Sequence, residues 1–157
     1  MRRTIRNGGV FIGVVAMTLG IFSFQDASPQ ATGQTLNLNF PKSQPDAISD
    51  LAPKGPSIGD VLYFKGALTD EAGAKAGHLF AEASSFAKGG GLVQMTATLA
   101  LHQGSLNAVG ELNLQSNDQG TLSIVGGTGD HEGARGSAVI TRDPTTNNIN
   151  IDITLLP

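Results

Sequence analysis

The sequence contains no cysteine and no tryptophan, and aromatic side chains make up only 5% of its 157 residues. The absence of cysteine excludes disulfides, thiolate metal sites, cysteine nucleophiles and lipid attachment through sulfur. It does not exclude export, because a closed β-barrel pairs its own strand edges and needs no covalent cross-link. A folded core must therefore be built mainly from Leu, Val, Ile and Ala.

Positive charge is scarce in the regular part of the chain. From residue 58 onward there are five Lys or Arg and ten Asp or Glu, which gives this region a net charge of about −5. Binding to nucleic acid requires clustered Lys and Arg that contact phosphates. We therefore expect no nucleic-acid partner.

The N-terminus has the pattern of an export or anchoring segment. Arg2, Arg3 and Arg6 precede an uncharged, mostly apolar run over residues 8–24. Basic residues followed by such a run are typical of a signal peptide, which is removed, or of a signal anchor, which stays in the membrane. We predict that residues 1–27 direct the chain to secretion or to the cell envelope, with residues 8–24 as a membrane tether if uncleaved. A buried helix of the globular domain is the alternative.

Residues 28–57 hold five of the seven prolines and are otherwise mostly polar. Such a composition buries too little apolar surface to offset its ordering entropy, which indicates a linker. Within it, the alternation of apolar and polar side chains over residues 36–40 could instead form a strand that packs on the following domain.

From residue 58 the sequence reads as an all-β domain. The clearest signal lies between residues 92 and 102, where Val93, Met95 and Ala97 alternate with polar side chains. Strands recur between turns with no room for helical crossovers, so we expect antiparallel pairing in a sandwich or barrel. The predicted strands are Val61–Leu68, His78–Phe86, Leu92–His102, Ser105–Leu114, Thr121–Val125, Ser137–Thr141 and Ile149–Leu155.

Two segments resemble the dirigent and allene-oxide-cyclase superfamily. Residues 59–64, GDVLYF, and residues 68–70, LTD, resemble its opening strand and first loop. Residues 124–136, IVGGTGDHEGARG, resemble its GGTG-x-aromatic-x-x-ARG signature. The resemblance covers residues 58–157, and it departs at His131, where the family usually has Tyr or Phe. No role that depends on that ring is transferred.

The resemblance implies a closed, antiparallel, eight-stranded, calycin-like barrel with a central apolar cavity. Plant members either cyclise an epoxide-bearing fatty acid or orient two phenoxy radicals for coupling, and bacterial relatives include pericyclic cyclases. Members typically need no metal or organic cofactor, and many are trimers. For this chain it implies an apolar small-molecule partner, no cofactor and a homotrimer.

Three charged residues in or near the matched motifs are candidate catalytic groups. Arg135 either ties its loop to a carboxylate or faces the cavity and stabilises an anion. Asp130 either caps a turn or acts as a proton donor if burial raises its pKa. The same two interpretations apply to Asp70.

Four further residues are candidate ligand contacts. Tyr63 is either a core residue or a cavity contact through its hydroxyl. Glu82, Gln94 and Glu111 lie on predicted strands and face solvent or the cavity, depending on a register that the sequence does not determine. The glycine-rich loop lacks the Lys of a phosphate-binding loop. The three histidines are too far apart in sequence to indicate a metal motif, so we predict no metal.

These observations favour a cofactor-free barrel that binds an apolar small molecule and directs its stereoselective cyclisation or coupling. Such chemistry depends on orientation more than on strong acids and bases. As an enzyme it would be an isomerase-like cyclase of secondary metabolism. The alternatives are a non-catalytic exported barrel that binds a small molecule or lipid, and a structural envelope protein. A filled interior would favour the structural role, and an open cavity with an isolated polar pair would favour catalysis.

Overall fold

The computed structural model describes residues 33–41, 44–52 and 54–157. The predicted leader over residues 1–27 lies outside these ranges. Every regular element in the described ranges is a β-strand, and no helix there is long and apolar enough to cross a membrane. The strands are β1 (Thr35–Phe40), β2 (Ala47–Ser49), β3 (Val61–Asp70), β4 (Lys75–Ser85), β5 (Leu92–Leu101), β6 (Gly104–Asn113), β7 (Asp118–Gly129), β8 (Gly136–Arg142) and β9 (Ile149–Leu155).

Eight of these strands form a closed antiparallel barrel. Consecutive strands from β3 to β9 pair with one another, and β1 closes the ring between β9 and β3. Leu38 of β1 lies opposite Ile151 on one side and Asp70 on the other. The short β2 pairs with the beginning of β3, where Ile48 lies opposite Leu62. The predicted closed, eight-stranded antiparallel barrel is confirmed.

The strand β1 lies within the region predicted as a linker, residues 28–57. Its alternation turns Leu38 and Phe40 into the barrel, where they are buried, while Asn37 stays exposed. Burial of Phe40 and six pairings with β9 offset the ordering entropy that led to the linker prediction. The linker prediction is therefore wrong for residues 35–40, and the barrel begins N-terminal to residue 58.

The seven predicted strands are all present, and the largest difference in length is at β7. This strand runs from Asp118 to Gly129, whereas the prediction covered only Thr121–Val125. The residues at the start of β7 are polar and those at its end are glycines. Both compositions are typical of loops, so neither end of the strand was predicted. In the barrel these glycines remain in the ladder, because Gly126 and Gly127 pair with Asn107 and Leu106 of β6.

The core lies along the barrel axis and is built by strict alternation. On β5 the side chains of Val93, Met95, Ala97 and Leu99 point inward and are buried, whereas Gln94 lies on the outer face. The remaining strands contribute in the same way. Other buried apolar side chains include Phe64, Leu68, Leu79, Leu106, Ala108, Leu112, Leu122, Ile124, Ala138, Ile140, Ile149, Ile151, Ile153 and Leu155.

The glycine-rich segment between β7 and β8 forms a tight corner. Gly129 and Gly133 have φ values of 62° and 73°, a region that favours glycine. A Cβ at Gly127 would lie 2.5 Å from the carbonyl oxygen of Ser105 and equally tight against that of His131. Two backbones therefore converge on Gly127 and leave no room for a side chain.

Candidate functional site

The barrel interior contains an apolar cavity of about 50 Å³. It extends from the middle of the barrel to the end that carries Leu114, Gln119 and Arg142, which we call the Gln119 end. Among its lining residues only Leu114 is partly exposed, so the cavity meets the surface there. The lining residues are Phe40, Phe64, Leu79, Met95, Ala97, Leu99, Ala108, Leu112, Leu114, Gln119, Leu122, Ala138, Ile140, Ile149 and Ile151.

Gln119 is the one polar side chain in this lining, and a β-bulge places it there. Asp118 pairs with Thr141 and Gly120 pairs with Ile140, so Gln119 is the extra residue of β7. A bulge changes the direction of the side chain it carries. Gln119 is only 5% exposed, and its amide has no hydrogen-bond partner among the described residues. Gln119 therefore contributes a polar residue to the cavity lining, and its amide has no hydrogen-bond partner among the described residues.

Arg142 ends β8 beside this cavity. Ala138 and Ile140 point inward on the same strand, so the period of two also directs Arg142 inward. Its Nη2 donates to the carbonyl oxygen of Leu114 at 3.1 Å, which joins it to the residue at the cavity mouth. Its Nε atom is buried and has no hydrogen-bond partner in the described structure.

Three of the four predicted ligand contacts come together on the outside of the barrel. Tyr63, Glu82 and Gln94 line a groove on the outer face of β3, β4 and β5. Lys65 and Phe80 also line this groove, which has a volume of about 850 Å³. Their positions follow from the register, in which Tyr63 lies opposite Glu82.

Glu111, the fourth predicted contact, lies on the same outer face. It is exposed and pairs with Gln94 across β5 and β6. A ligand role for these four residues would therefore involve the outer surface and not the cavity. That role stays a prediction.

Asp70 lies at the opposite end of the barrel, which we call the glycine-loop end because the loop of residues 129–136 closes it. The Oδ1 atom of Asp70 accepts a hydrogen bond from the backbone N–H of Ala74 at 2.8 Å, which caps the turn after β3. Asp70 also lines a polar depression of about 630 Å³ together with His102 and His131. Its catalytic role stays a prediction, and the turn-capping contact is the one present.

Asp130 and Arg135 lie on the loop at the glycine-loop end, and both are exposed. Arg135 donates through Nη1 to the carbonyl oxygen of Ala134 at 2.8 Å, and within the described residues it pairs with no carboxylate. Neither side chain reaches the cavity lining. The structure therefore does not place the three predicted catalytic residues around the apolar cavity.

Asp60 organises the loop before β3 at the Gln119 end. The backbone N–H groups of Ser57 and Leu51 donate to its carboxylate at 2.7 and 2.9 Å, and the Ser57 hydroxyl donates at 2.9 Å. These hydrogen bonds, led by that from the Ser57 backbone, hold the pKa of Asp60 below its ordinary value. Asp60 is a clamp for the loop and remains charged at neutral pH.

The three histidines are dispersed. His78 lies on the outer face against Phe80, His102 donates through Nε2 to the carbonyl oxygen of Lys75, and His131 is buried in the glycine-rich loop. No group of three or more His, Cys, Asp or Glu among the described residues is arranged to hold a metal ion.

Gln119 and Arg142 were not predicted from the sequence. Gln119 lies in the run QSNDQG, whose polar and glycine content is typical of a loop. Arg142 precedes a turn begun by Asp143, where a surface Arg is expected. One pattern could have indicated Arg142. It follows Ala138 and Ile140 at the two-residue spacing of side chains on one face of a strand.

Comparisons with known proteins agree with this architecture. A family model described as "Dirigent-like protein" matches residues 31–156. No curated protein matches the chain. The match begins before residue 58, in agreement with the inclusion of β1 in the barrel.

Several solved structures share the fold. A pyocyanin demethylase is 20% identical, with 78% of this chain and 100% of that chain covered and a TM-score of 0.65. A pterocarpan synthase dirigent protein is 19% identical, with 79% and 83% covered and a TM-score of 0.56. An exo-specific intermolecular Diels-Alderase is 14% identical, with 79% and 96% covered and a TM-score of 0.57. At these identities the likeness establishes the barrel fold alone.

Proposed function

The chain belongs to the dirigent-like protein family, and on this premise we propose that it is a cofactor-free barrel that binds an apolar small molecule and directs its stereoselective cyclisation or coupling. The observation that carries this proposal is the cavity inside the barrel, whose lining has one polar side chain, Gln119. Apolar walls favour a ligand that leaves water, and one placed polar group fixes its orientation.

The size of the cavity sets a condition on binding. A volume of about 50 Å³ is far below the roughly 300–1,000 Å³ typical of small-molecule pockets. Ligand binding therefore requires side chains at the Gln119 end to move apart. Met95 is unbranched and adapts its shape readily, and Leu114 already lies at the surface. We expect the cavity to widen at this end when a ligand enters.

The composition of the lining suggests how the barrel would act on its ligand. None of the lining side chains titrates, so the wall offers no general acid or base. A wall of this kind excludes water and restricts a flexible molecule to few conformers. Holding reacting atoms in a near-attack geometry lowers the barrier without proton transfer by the protein. Cyclisation and coupling are reactions that gain from such restriction.

The known activities of similar folds support this choice of reaction class. The pterocarpan synthase and the Diels-Alderase carry names that describe ring-forming or stereochemically controlled reactions. The pyocyanin demethylase carries the name of a different reaction on a small molecule. We propose the first class for this chain because its cavity lacks titratable groups.

A non-catalytic barrel that carries a small molecule or lipid is the second candidate. The same absence of titratable side chains in the lining favours it, because binding alone needs none. If residues 1–27 export the chain, as their pattern predicts, this role would be exercised outside the cell or in the envelope. A trimer, which the resemblance implies, is compatible with either role.

A genetic and chemical experiment separates the two candidates. Small molecules from the native host are compared by chiral mass spectrometry with and without the gene, and the deletion is complemented by variants. We expect one product or its enantiomer ratio to change and to be restored by wild type. The double variant Ala108→Val/Ala138→Val, which fills the cavity, should not restore it.

Two controls sharpen the result. Ala67→Val makes the same change at an exposed position of β3 and should restore the product. Arg135→Ala tests the site implied by the family resemblance, and failure to restore would support its role. An unchanged product profile after deletion would contradict the directing role and leave the binding barrel as the better hypothesis.

A further inference from the structure

We propose that Gln119 and Arg142 bind a carboxylate at the mouth of the cavity, so that the ligand is an apolar molecule with one terminal carboxylate. This inference rests on the proposed function, because it assumes that the cavity binds a small molecule. It identifies the polar end of that molecule and its direction in the barrel. The carboxylate lies at the Gln119 end, and the apolar body extends toward the middle.

The first support is the incomplete hydrogen bonding of Arg142. A guanidinium has five N–H donors in a planar fork, and adjacent donors of the fork match the two oxygens of a carboxylate. Nη2 is bonded to Leu114, but Nε is buried without a partner. A buried charged donor without an acceptor is unusual in a native protein. A bound carboxylate would supply that acceptor.

The second support is independent and comes from the neighbouring strand. Gln119 is turned into the barrel by the bulge at the start of β7, and its amide has no partner among the described residues. Opposite this bulge lie Ile140 and Thr141, the two residues before Arg142. Gln119 and Arg142 therefore lie on neighbouring strands at the same end of the barrel. The amide N–H₂ of Gln119 can donate to one carboxylate oxygen while Arg142 binds the other.

The charge around Arg142 also fits an external anion. The nearest carboxylate in sequence, Asp143, is occupied in its own turn, where it accepts hydrogen bonds from the backbone N–H of Thr145 and the hydroxyl of Thr146, both at 2.7 Å. In the described structure Arg142 has no ion pair. A guanidinium that pairs with no described carboxylate, at the mouth of an apolar cavity, favours a ligand that brings its own negative charge.

A pair of matched probes tests the proposal on the purified full-length protein. The probes are 2-naphthoate and 2-naphthylmethanol, which share an aromatic body and differ in the charged group. Binding is measured by isothermal titration calorimetry. We expect 2-naphthoate to bind about tenfold more tightly than the alcohol, because a charge-assisted bidentate contact replaces a neutral one. Arg142→Gln should abolish that preference and leave the affinity for the alcohol within about twofold.

Two further variants keep the outcome interpretable. Lys88→Gln removes the same charge from an exposed turn at the same end and should retain the preference. Gln119→Leu retains a buried side chain of similar size and should reduce the preference severalfold. If Arg142→Gln does not fold, NMR of the wild-type protein serves as the test. The Nε–H resonance of Arg142 should then shift when 2-naphthoate is added but not when the alcohol is added.

Each remaining outcome has a defined meaning. If both probes bind equally and Arg142→Gln changes neither, or if the Nε–H resonance does not respond to 2-naphthoate, the carboxylate site is wrong while the binding barrel stands. If neither probe binds wild type, the proposed function fails, and the carboxylate site fails with it.

Discussion

The two ends of the barrel interior are built by the same alternation of side chains but differ in how well those side chains fill the space. At the glycine-loop end, Leu68, Leu106, Ile153 and Leu155 are at most 1% exposed and close the interior. From the middle to the Gln119 end, the alanines of β5, β6 and β8 line the wall and a cavity remains. Side-chain volume, not strand pattern, therefore decides whether a barrel of this type has a filled core or a binding cavity.

The two ends of the barrel also differ in the hydrogen bonding of their polar groups. At the glycine-loop end backbone hydrogen bonds join neighbouring turns, such as the hydrogen bond from Asp130 N–H to the carbonyl oxygen of Gln103 at 2.9 Å. At the Gln119 end the amide of Gln119 and the Nε of Arg142 have no hydrogen-bond partner among the described residues. An unsatisfied buried polar group costs about 1–3 kcal/mol. A binding site explains why Arg142, whose Nε is buried without a partner, is retained there at that cost.

The largest effect should come from removing a side chain at the filled end. Leu106→Ala should destabilise the barrel by about 4 kcal/mol, because a new cavity opens in closely packed surroundings. Leu112→Ala should cost about 2 kcal/mol, because Leu112 already borders a cavity and has fewer contacts to lose. Urea unfolding of both variants measures the difference. Equal losses would show that the two ends are equally packed.

The next effect concerns the backbone at the glycine-loop end. Gly127→Ala should cost about 3 kcal/mol, because its Cβ would press against two carbonyl oxygens. Gly133→Ala is the matched control, since nothing lies within 4 Å of its Cβ and only the positive φ is unfavourable, at about 1 kcal/mol. Thermal unfolding of both variants measures which of them loses more stability. A Gly127→Ala protein as stable as Gly133→Ala would contradict the close approach of these backbones.

A smaller effect should distinguish the cavity wall from the rest of the core. Ala138→Val should change stability by less than about 1 kcal/mol, because the added methyl groups enter existing space. Ala83→Val should cost about 2 kcal/mol, because Ala83 is fully buried and does not line the cavity. Differential scanning calorimetry of the two variants measures the loss of stability in each. A larger loss for Ala138→Val than for Ala83→Val would argue against the cavity.

The smallest effect should come from the loop clamp at the Gln119 end. Asp60→Asn should lower the melting temperature slightly at neutral pH, because a charged acceptor of three hydrogen bonds becomes neutral. The folded-state pKa of Asp60 lies below its ordinary value of 3.8, so its stabilising effect is complete above that value. The effect is lost as the pH falls through the lowered folded-state pKa. The difference in melting temperature between wild type and Asp60→Asn should therefore shrink in acid, and a constant difference would exclude the carboxylate as its cause.

Much of the barrel could be predicted from the sequence because alternation reports directly on burial. The strands β5 and β9 were predicted for this reason, whereas the face of each that points inward was not. The strand β1 was only the alternative to a linker, because it is short and lies among prolines. Its stability comes from pairing with β9, more than 100 residues away. Local sequence does not contain that contact.

The candidate site was harder to predict than the fold. The side chains of Glu82 and Gln94 were known to share strands with apolar residues, but their outward direction depends on register. Gln119 was missed because a bulge is defined by the partner strand and not by its own residues. The family signature led to Arg135, which lies on the surface, whereas the unsatisfied arginine is Arg142.

The most direct measurement is the binding of the neutral probe 2-naphthylmethanol, by calorimetry, to wild type and to two variants. Ala108→Val/Ala138→Val fills the cavity, and Phe80→Ser alters the outer groove that Tyr63 and Glu82 also line. We predict that wild type and Phe80→Ser bind the probe alike and that the cavity-filled variant does not bind it. Loss of binding in Phe80→Ser with retention in the cavity-filled variant would place the ligand on the outer face and contradict the interior site.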